Sequence, residues 1–206
     1  MAPRRNDDGF RTQMLRAAAA LIAERGYDGV RIADIAAACG ASTGSVHYHF
    51  SGRDEILTAA LRYAIQQAFD RNRAALRDLD DARERLARLI DLQLPRDPEV
   101  RGEWLVWLEF WAEAARRPEL AAVHRELYAG WRELIADTVR RGQDQGVFRA
   151  GDAEAIAETL TALIDGAAVH VVTGLQEDGA ERMRTLLAGY VEAQLGAALG
   201  DATRVA

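Results

Sequence analysis

Between residues 42 and 50 the chain carries Thr43, Ser45, His47, Tyr48 and His49, and only Val46 and Phe50 are clearly apolar. Hydroxyls, imidazoles and a phenol in one short stretch suit hydrogen bonding to base edges in a DNA major groove. Val46 and Phe50 stand four apart and share one helical face, so one side anchors the segment and the rest is presented. The preceding stretch supplies a partner. Ile32, Ile35, Ala36 and Cys39 recur at helical spacing. Gly40 follows where a short helix must end in a left-handed residue, and Ser42 or Thr43 can cap the next helix. Two short helices broken by a glycine, the second polar on its outer side, make a helix-turn-helix whose second helix reads bases.

Three helices closing on one small core are the minimum package for such a motif. The spacing of Leu15, Ala18, Leu21 and Ile22 predicts a helix over Thr12–Arg25, stopped by Gly26, with Tyr27 packing back onto it. After the motif, Ser51 and Gly52 form a turn and a long helix begins at Asp54.

With these residues in place, the first sixty or so residues resemble the TetR family of bacterial transcriptional repressors. The resemblance lies in Gly26-Tyr27-Asp28-Gly29-Val30, in Asp34-Ile35-Ala36, in the run from Gly40 to Phe50, and in Arg53-Asp54-Glu55-Ile56-Leu57. It implies a DNA-contacting set of Thr43, Gly44, Ser45, His47, Tyr48, His49 and Arg53. In that set Thr43, Ser45 and His47 face bases, and Tyr48, His49 and Arg53 hold phosphates. Three positions depart from the family's usual pattern. Arg53 stands where lysine is typical, His47 where tyrosine is commoner, and Arg31 where a capping Ser or Thr is common. Arg31 therefore implies a weaker start or a different cap for its helix.

Composition is compatible with this reading. The chain has 206 residues and about half are hydrophobic (49%), enough for a core. Every basic residue is arginine and the formal net charge is −6. Net acidity does not exclude DNA binding, because phosphate contacts need only one face. Arg4, Arg5, Arg11 and Arg16 gather on or before the first helix, where Arg4 and Arg5 form either an arm reaching a neighbouring groove or a tail. No apolar run reaches membrane-spanning length, and the N-terminus lacks a secretory segment, so a cytoplasmic protein without membrane partners is expected. The single cysteine, Cys39, excludes an internal disulfide framework and reads as a small core residue.

The remainder reads as helices over Asp54–Leu79, Ala82–Leu94, Glu99–Arg116, Pro118–Gln143, Asp152–Thr173 and Ala180–Leu199. An all-α protein of about nine helices follows. Residues 1–53 form a helix-turn-helix DNA-binding domain, and residues 54–206 form a helical effector-binding and dimerisation domain. The helix from Asp54 links the two. Asp152 is a natural N-cap. The last two helices carry stripes that include Leu163, Ala167, Leu187, Tyr190 and Val191, with Ala188, Gly189 and Ala193 permitting close approach. A monomer could bury them, whereas the resemblance implies a four-helix bundle between two subunits. A dimer also suits the motif, since two reading helices must stand roughly 34–36 Å apart to meet successive major grooves.

A second set of residues points to a ligand. Trp104, Trp107 and Trp111 fall on one helical face, and His124, Tyr128 and Trp131 on another. Rings converging with carboxylates can hold an organic cation, although rings at such spacing also serve as core. Asp165 lies between Leu163-Ile164 and Gly166-Ala167-Ala168-Val169, so it is at least partly buried and needs a partner or a raised pKa. That partner is either a cationic ligand or an arginine or helix end. Glu109 and Glu113 stand four apart without a matching histidine pair, which argues against a metal site. Around Trp107 to Ala114, His124 to Tyr128 and Leu163 to Gly166 the chain resembles the choline-responsive subgroup of the family. The candidate ligand set is Trp107, Glu109, Trp111, Tyr128 and Asp165, with no cofactor.

The reading that follows is a homodimeric repressor on a palindromic double-stranded operator, released by a small-molecule effector such as a polyamine or quaternary ammonium compound. An activator would share the motif. An enzyme using the helical cavity finds no nucleophile–base pair, phosphate loop or metal spacing to support it.

Overall fold

The computed structural model describes residues 4–175 and 178–199, with side chains from residue 8 onward. Among the described residues there are nine helices and no strand. The chain divides into two compact units, one comprising residues up to Ala68 together with Leu105–His124, the other Phe69–Trp104 together with the residues from Arg125 on.

The first unit holds α1 (Arg4–Arg25), α2 (Ile32–Ala38), α3 (Thr43–His49), most of α4 (Arg53–Ala75), the later part of α6 (Pro98–Ala114) and the start of α7 (Pro118–Asp144). Its core is built from Met14, Ile22, Tyr27, Ile35, Val46, Phe50, Ile56 and Leu57, all essentially inaccessible. α1 begins eight residues before the expected Thr12, which places the Arg4 and Arg5 backbone in a helix. The side chains of these two arginines, and so the expected arm, lie outside the described residues. The turn between α2 and α3 is a closed glycine cap. Gly40 is left-handed at φ 63°, its N–H donates to the Ala37 carbonyl, and the Ala41 N–H reaches back to the Ala36 carbonyl at 2.9 Å. Arg31 does bring a different cap. Its guanidinium has no acceptor, and Asp34 instead accepts the Arg31 backbone N–H at 2.9 Å. Cys39 is half-buried rather than core, and burial pushes its thiol pKa up, away from the reactive thiolate.

The second unit holds α5 (Ala82–Asp91), α8 (Ala153–Val172), α9 (Gly179–Leu195) and the remaining parts of α4, α6 and α7. Asp81 caps α5 by accepting from Arg83 and Glu84, and Asp152 caps α8 by accepting from Ala155 at 3.0 Å. Trp104 is core here, 4% exposed, with its indole N–H on the Gln93 carbonyl at 2.9 Å. Several helices stop short of expectation. α4 ends at Ala75, α5 at Asp91 and α6 at Ala114, and α9 ends at Leu195 with Gly196 left-handed behind it.

The expected boundary at residue 53 falls within the first unit. α4 belongs to the first unit as far as Ala68, and Leu105–His124, distant in sequence, joins it. Helical periodicity shows which face of a helix is apolar, but not which neighbour that face meets. By length and composition alone, α8 is apolar enough to cross a membrane. In the fold, Ile156, Leu160, Ile164, Ala168 and Val172 face inward.

Candidate nucleic-acid interface and effector site

α3 is held from one side only. Val46 and Phe50 are buried to 0% and 2% exposure, and the Ser42 hydroxyl accepts the Ser45 N–H at 3.1 Å to start the helix. Thr43, Gly44, His47 and Tyr48 are exposed, Tyr48 to 78%. They form a continuous polar surface of the kind that enters a groove. Ser45 is half-buried, with its hydroxyl 3.0 Å from that of Ser42. His49 is half-buried too. Its ring meets Phe10 of α1 edge-on at 5.8 Å and Tyr48 at 5.0 Å. The guanidinium of Arg11 sits 4.9 Å above the Phe50 ring, which places a cation beside the end of α3.

Arg53, expected to hold a phosphate, is engaged within the first unit. Its Nε donates to the Val30 carbonyl at 2.8 Å and its Nη2 to the Tyr27 carbonyl at 2.5 Å. Its Nη1 meets Asp54 at 3.0 Å, and its carbon lies 5.3 Å from the centre of the Tyr27 ring. A planar fork can serve two carbonyls and an acid at once, and this is how arginine differs from the lysine typical of the family. Arg53 thus braces the connector between α1 and α2 against the start of α4.

The expected ligand residues fall in separate units. In the first unit, Trp107 packs against Phe110 and Trp111, each at 5.9 Å, and against His124 at 6.3 Å. Phe110 is fully buried, while Trp107 and Trp111 are half-exposed. Glu109, expected among the ligand acids, is engaged by the backbone. Its carboxylate accepts the backbone N–H of Tyr27 at 2.8 Å and lies against Gly26. The 3.6-residue helical period turns it away from Trp107 and Trp111, to which it is a sequence neighbour. Glu113 is buried, with Arg117 at 3.0 Å and Arg116 at 3.2 Å.

In the second unit, the Tyr128 hydroxyl donates to Asp165 at 2.7 Å. Burial raises the Asp165 pKa to about 6, and the Tyr128 hydrogen bond opposes that rise in part. Among the described residues its partner is thus a phenol rather than an arginine. A phenol satisfies one lone pair and leaves the charge of the ionised form uncompensated. No group of three or more metal-ligating side chains forms among the described residues.

The expected dimer residues also divide. Leu187 and Val191 are fully buried within the second unit, where α9 packs on α8 and α5, so they cannot meet a partner subunit. Met183, Leu187, Val191 and Leu195 recur every four residues and form the inward face. Leu163, Ala167 and Tyr190 are half-buried. Leu186, 49% exposed, stands with Gly189 and Ala193 on the outer side of α9, and Ala162 and Gly166 on that of α8.

Comparison with known proteins agrees with this architecture. Residues 14–60 match the bacterial regulatory proteins of the tetR family, and residues 82–196 match the C-terminal region of BetI-type transcriptional repressors. The chain is 32% identical to the HTH-type transcriptional regulator BetI of Stenotrophomonas maltophilia, over 91% of this chain and 94% of that protein. It is 30% identical to the regulator PksA of Bacillus subtilis, over 88% of each. A putative transcriptional regulator from Saccharomonospora viridis, solved in complex with choline, is 44% identical. It superposes with a TM-score of 0.85 over 91% of this chain and 98% of that one. A helix-turn-helix with a presented polar helix, an all-helical remainder and these relatives lead to one conclusion: the chain is a transcriptional regulator of the TetR family with a BetI-type C-terminal region.

Proposed function

We propose that the chain is a homodimeric repressor which occupies a palindromic operator in the cytoplasm and is released by a small quaternary ammonium compound of the choline type. For DNA binding the supporting observation is the exposed face of Thr43, Gly44, His47 and Tyr48 on a helix anchored by Val46 and Phe50. For the dimer it is the apolar outer strip of Ala162, Leu163, Gly166 and Ala167 on α8 with Leu186, Gly189, Tyr190 and Ala193 on α9. Small residues there let helices of two subunits approach closely.

The effector reading rests on one observation above all. Asp165 is a largely buried carboxylate whose partner is a neutral phenol, in a chain 44% identical to a regulator solved with choline. A quaternary ammonium carries charge without N–H groups, so it needs a carboxylate and ring faces rather than a hydrogen-bond cage. Asp165 supplies the charge, and Tyr128 orients it. Trp107 and Trp111 are separate aromatic candidates, tested one at a time.

The deciding experiment is titration of choline into the protein and into its complex with operator DNA. Choline should bind, release the DNA, and lose both effects in Asp165→Asn. Release by uncharged hydrophobic compounds alone, with no response to choline, would replace the cation by a neutral ligand and leave the repressor reading standing.

A further inference from the structure

We propose that Glu109, in the region that matches the C-terminal part of BetI-type repressors, is a positioning residue for the DNA-reading helix and acts through Tyr27. The inference rests on the DNA-binding part of the function proposed above and is independent of the effector.

Every polar group of Tyr27 is held from outside the helix-turn-helix. Its N–H donates to the Glu109 carboxylate of α6 at 2.8 Å. Its carbonyl accepts from Arg53 of α4 at 2.5 Å. Its hydroxyl lies 3.3 Å from Nη1 of Arg117, at the turn into α7. The guanidinium carbons of Arg53 and Arg117 each stand 5.3 Å from its ring centre, and Arg117 also reaches Asp54 at 3.8 Å. Tyr27 is 1% exposed and its partners are half-buried, so these bonds are partly shielded from water.

The position matters because Tyr27 opens the connector from α1 to α2. Gly26 just before it is left-handed at φ 75°, and a Cβ there would stand 3.3 Å from the Glu109 carboxylate. The acid therefore packs closely against a left-handed position that favours glycine, and a Cβ there would push it aside by a few tenths of an ångström. α2 packs on both α1 and α3, so the placement of Tyr27 fixes α2, and α2 supports α3. A charge-assisted bond to a backbone N–H is among the stronger contacts available for this.

The test uses the full chain and a duplex selected by the wild-type protein from a random-sequence pool. Affinity is measured for that duplex and for a scrambled one. In Glu109→Ala, affinity for the selected duplex should fall by about tenfold, in line with loss of a hydrogen bond to a charged group, while scrambled-duplex affinity changes less than about twofold. A simple loss of folded protein would lower both alike. Glu109→Gln, which keeps an acceptor oxygen, should recover part of the ratio and carries the test if Glu109→Ala does not fold. An unchanged ratio of selected to scrambled affinity in these variants overturns the inference alone. A wild-type chain that selects no duplex overturns both the inference and the DNA-binding reading beneath it.

Discussion

The phenol of Tyr128 donates to the carboxylate of Asp165 at 2.7 Å, and burial nevertheless raises that acid to about 6. A lone hydrogen bond to a neutral partner does not offset desolvation of the charge. The folded-state pKa stands above the unfolded value of about 3.9, so between the two the folded chain binds the extra proton. Stability from this group is therefore greatest below pH 4 and declines as pH rises through 4 to 6. The deficit above pH 6 is on the order of 2–3 kcal/mol. Urea titrations of wild type and Asp165→Asn at pH 4, 5.5 and 7.5 should show the variant gaining on wild type as pH rises. A constant difference would mean that Asp165 titrates normally.

The same acid sets the pH response to an effector. A quaternary ammonium ligand needs the ionised carboxylate, so protonation competes with binding below pH 6. Choline affinity should be flat from pH 7 to 8 and weaken towards about tenfold per unit well below 6. Calorimetry across that range checks it. In Asp165→Asn the dependence should disappear together with most of the affinity.

Recognition should be divided unevenly along α3. Thr43→Ala and His47→Ala should each cost about 1–3 kcal/mol at the base they read and relax preference there. Binding to selected and singly mutated duplexes separates this from a general loss. Equal losses on every sequence would place these side chains on the backbone of the DNA instead.

Arg53 is expected to act on stability more than on phosphate. Arg53→Ala removes donors to the Tyr27 and Val30 carbonyls, which should destabilise the fold by about 1–3 kcal/mol. The slope of log affinity against log salt should stay close to wild type. A slope reduced by about one phosphate contact, with an unchanged melting temperature, would assign the guanidinium to DNA.

The outer strip of α8 and α9 should hold the dimer. Leu186→Asp or Gly189→Glu places an unpaired charge on an exposed face, so the chain should become monomeric while keeping its helical content. Val191→Asp buries that charge in the subunit core and should unfold the second unit. Light scattering with circular dichroism separates the outcomes. A Leu186→Asp chain that remains dimeric would move the interface elsewhere.

The helices and the DNA-reading segment were legible in the sequence because their causes are local. Period-3.6 spacing marked the long helices, with the start of α1 missed by eight residues; Asp152 marked a helix start, and Gly40 marked the sharp turn because few other residues take a left-handed backbone easily. Val46 and Phe50, four apart, oriented the polar side of α3 without any knowledge of its neighbours.

Residues whose role depends on a distant partner were not legible. Glu109 sits between two tryptophans in the sequence, yet it meets Tyr27, 82 residues earlier. The contacts of Arg53 with the Val30 and Tyr27 carbonyls, more than twenty residues earlier, have no local signal. Leu187 and Val191 look as apolar as Leu186, and only packing on α8 and α5 decides which face inward. The Asp165 carboxylate was suspect from its apolar neighbours, but tertiary packing supplied Tyr128 as its partner. Helical periodicity identifies faces and caps from residues a few positions apart. The pairing of those faces depends on side chains tens of residues apart, and it forms only when the helices pack.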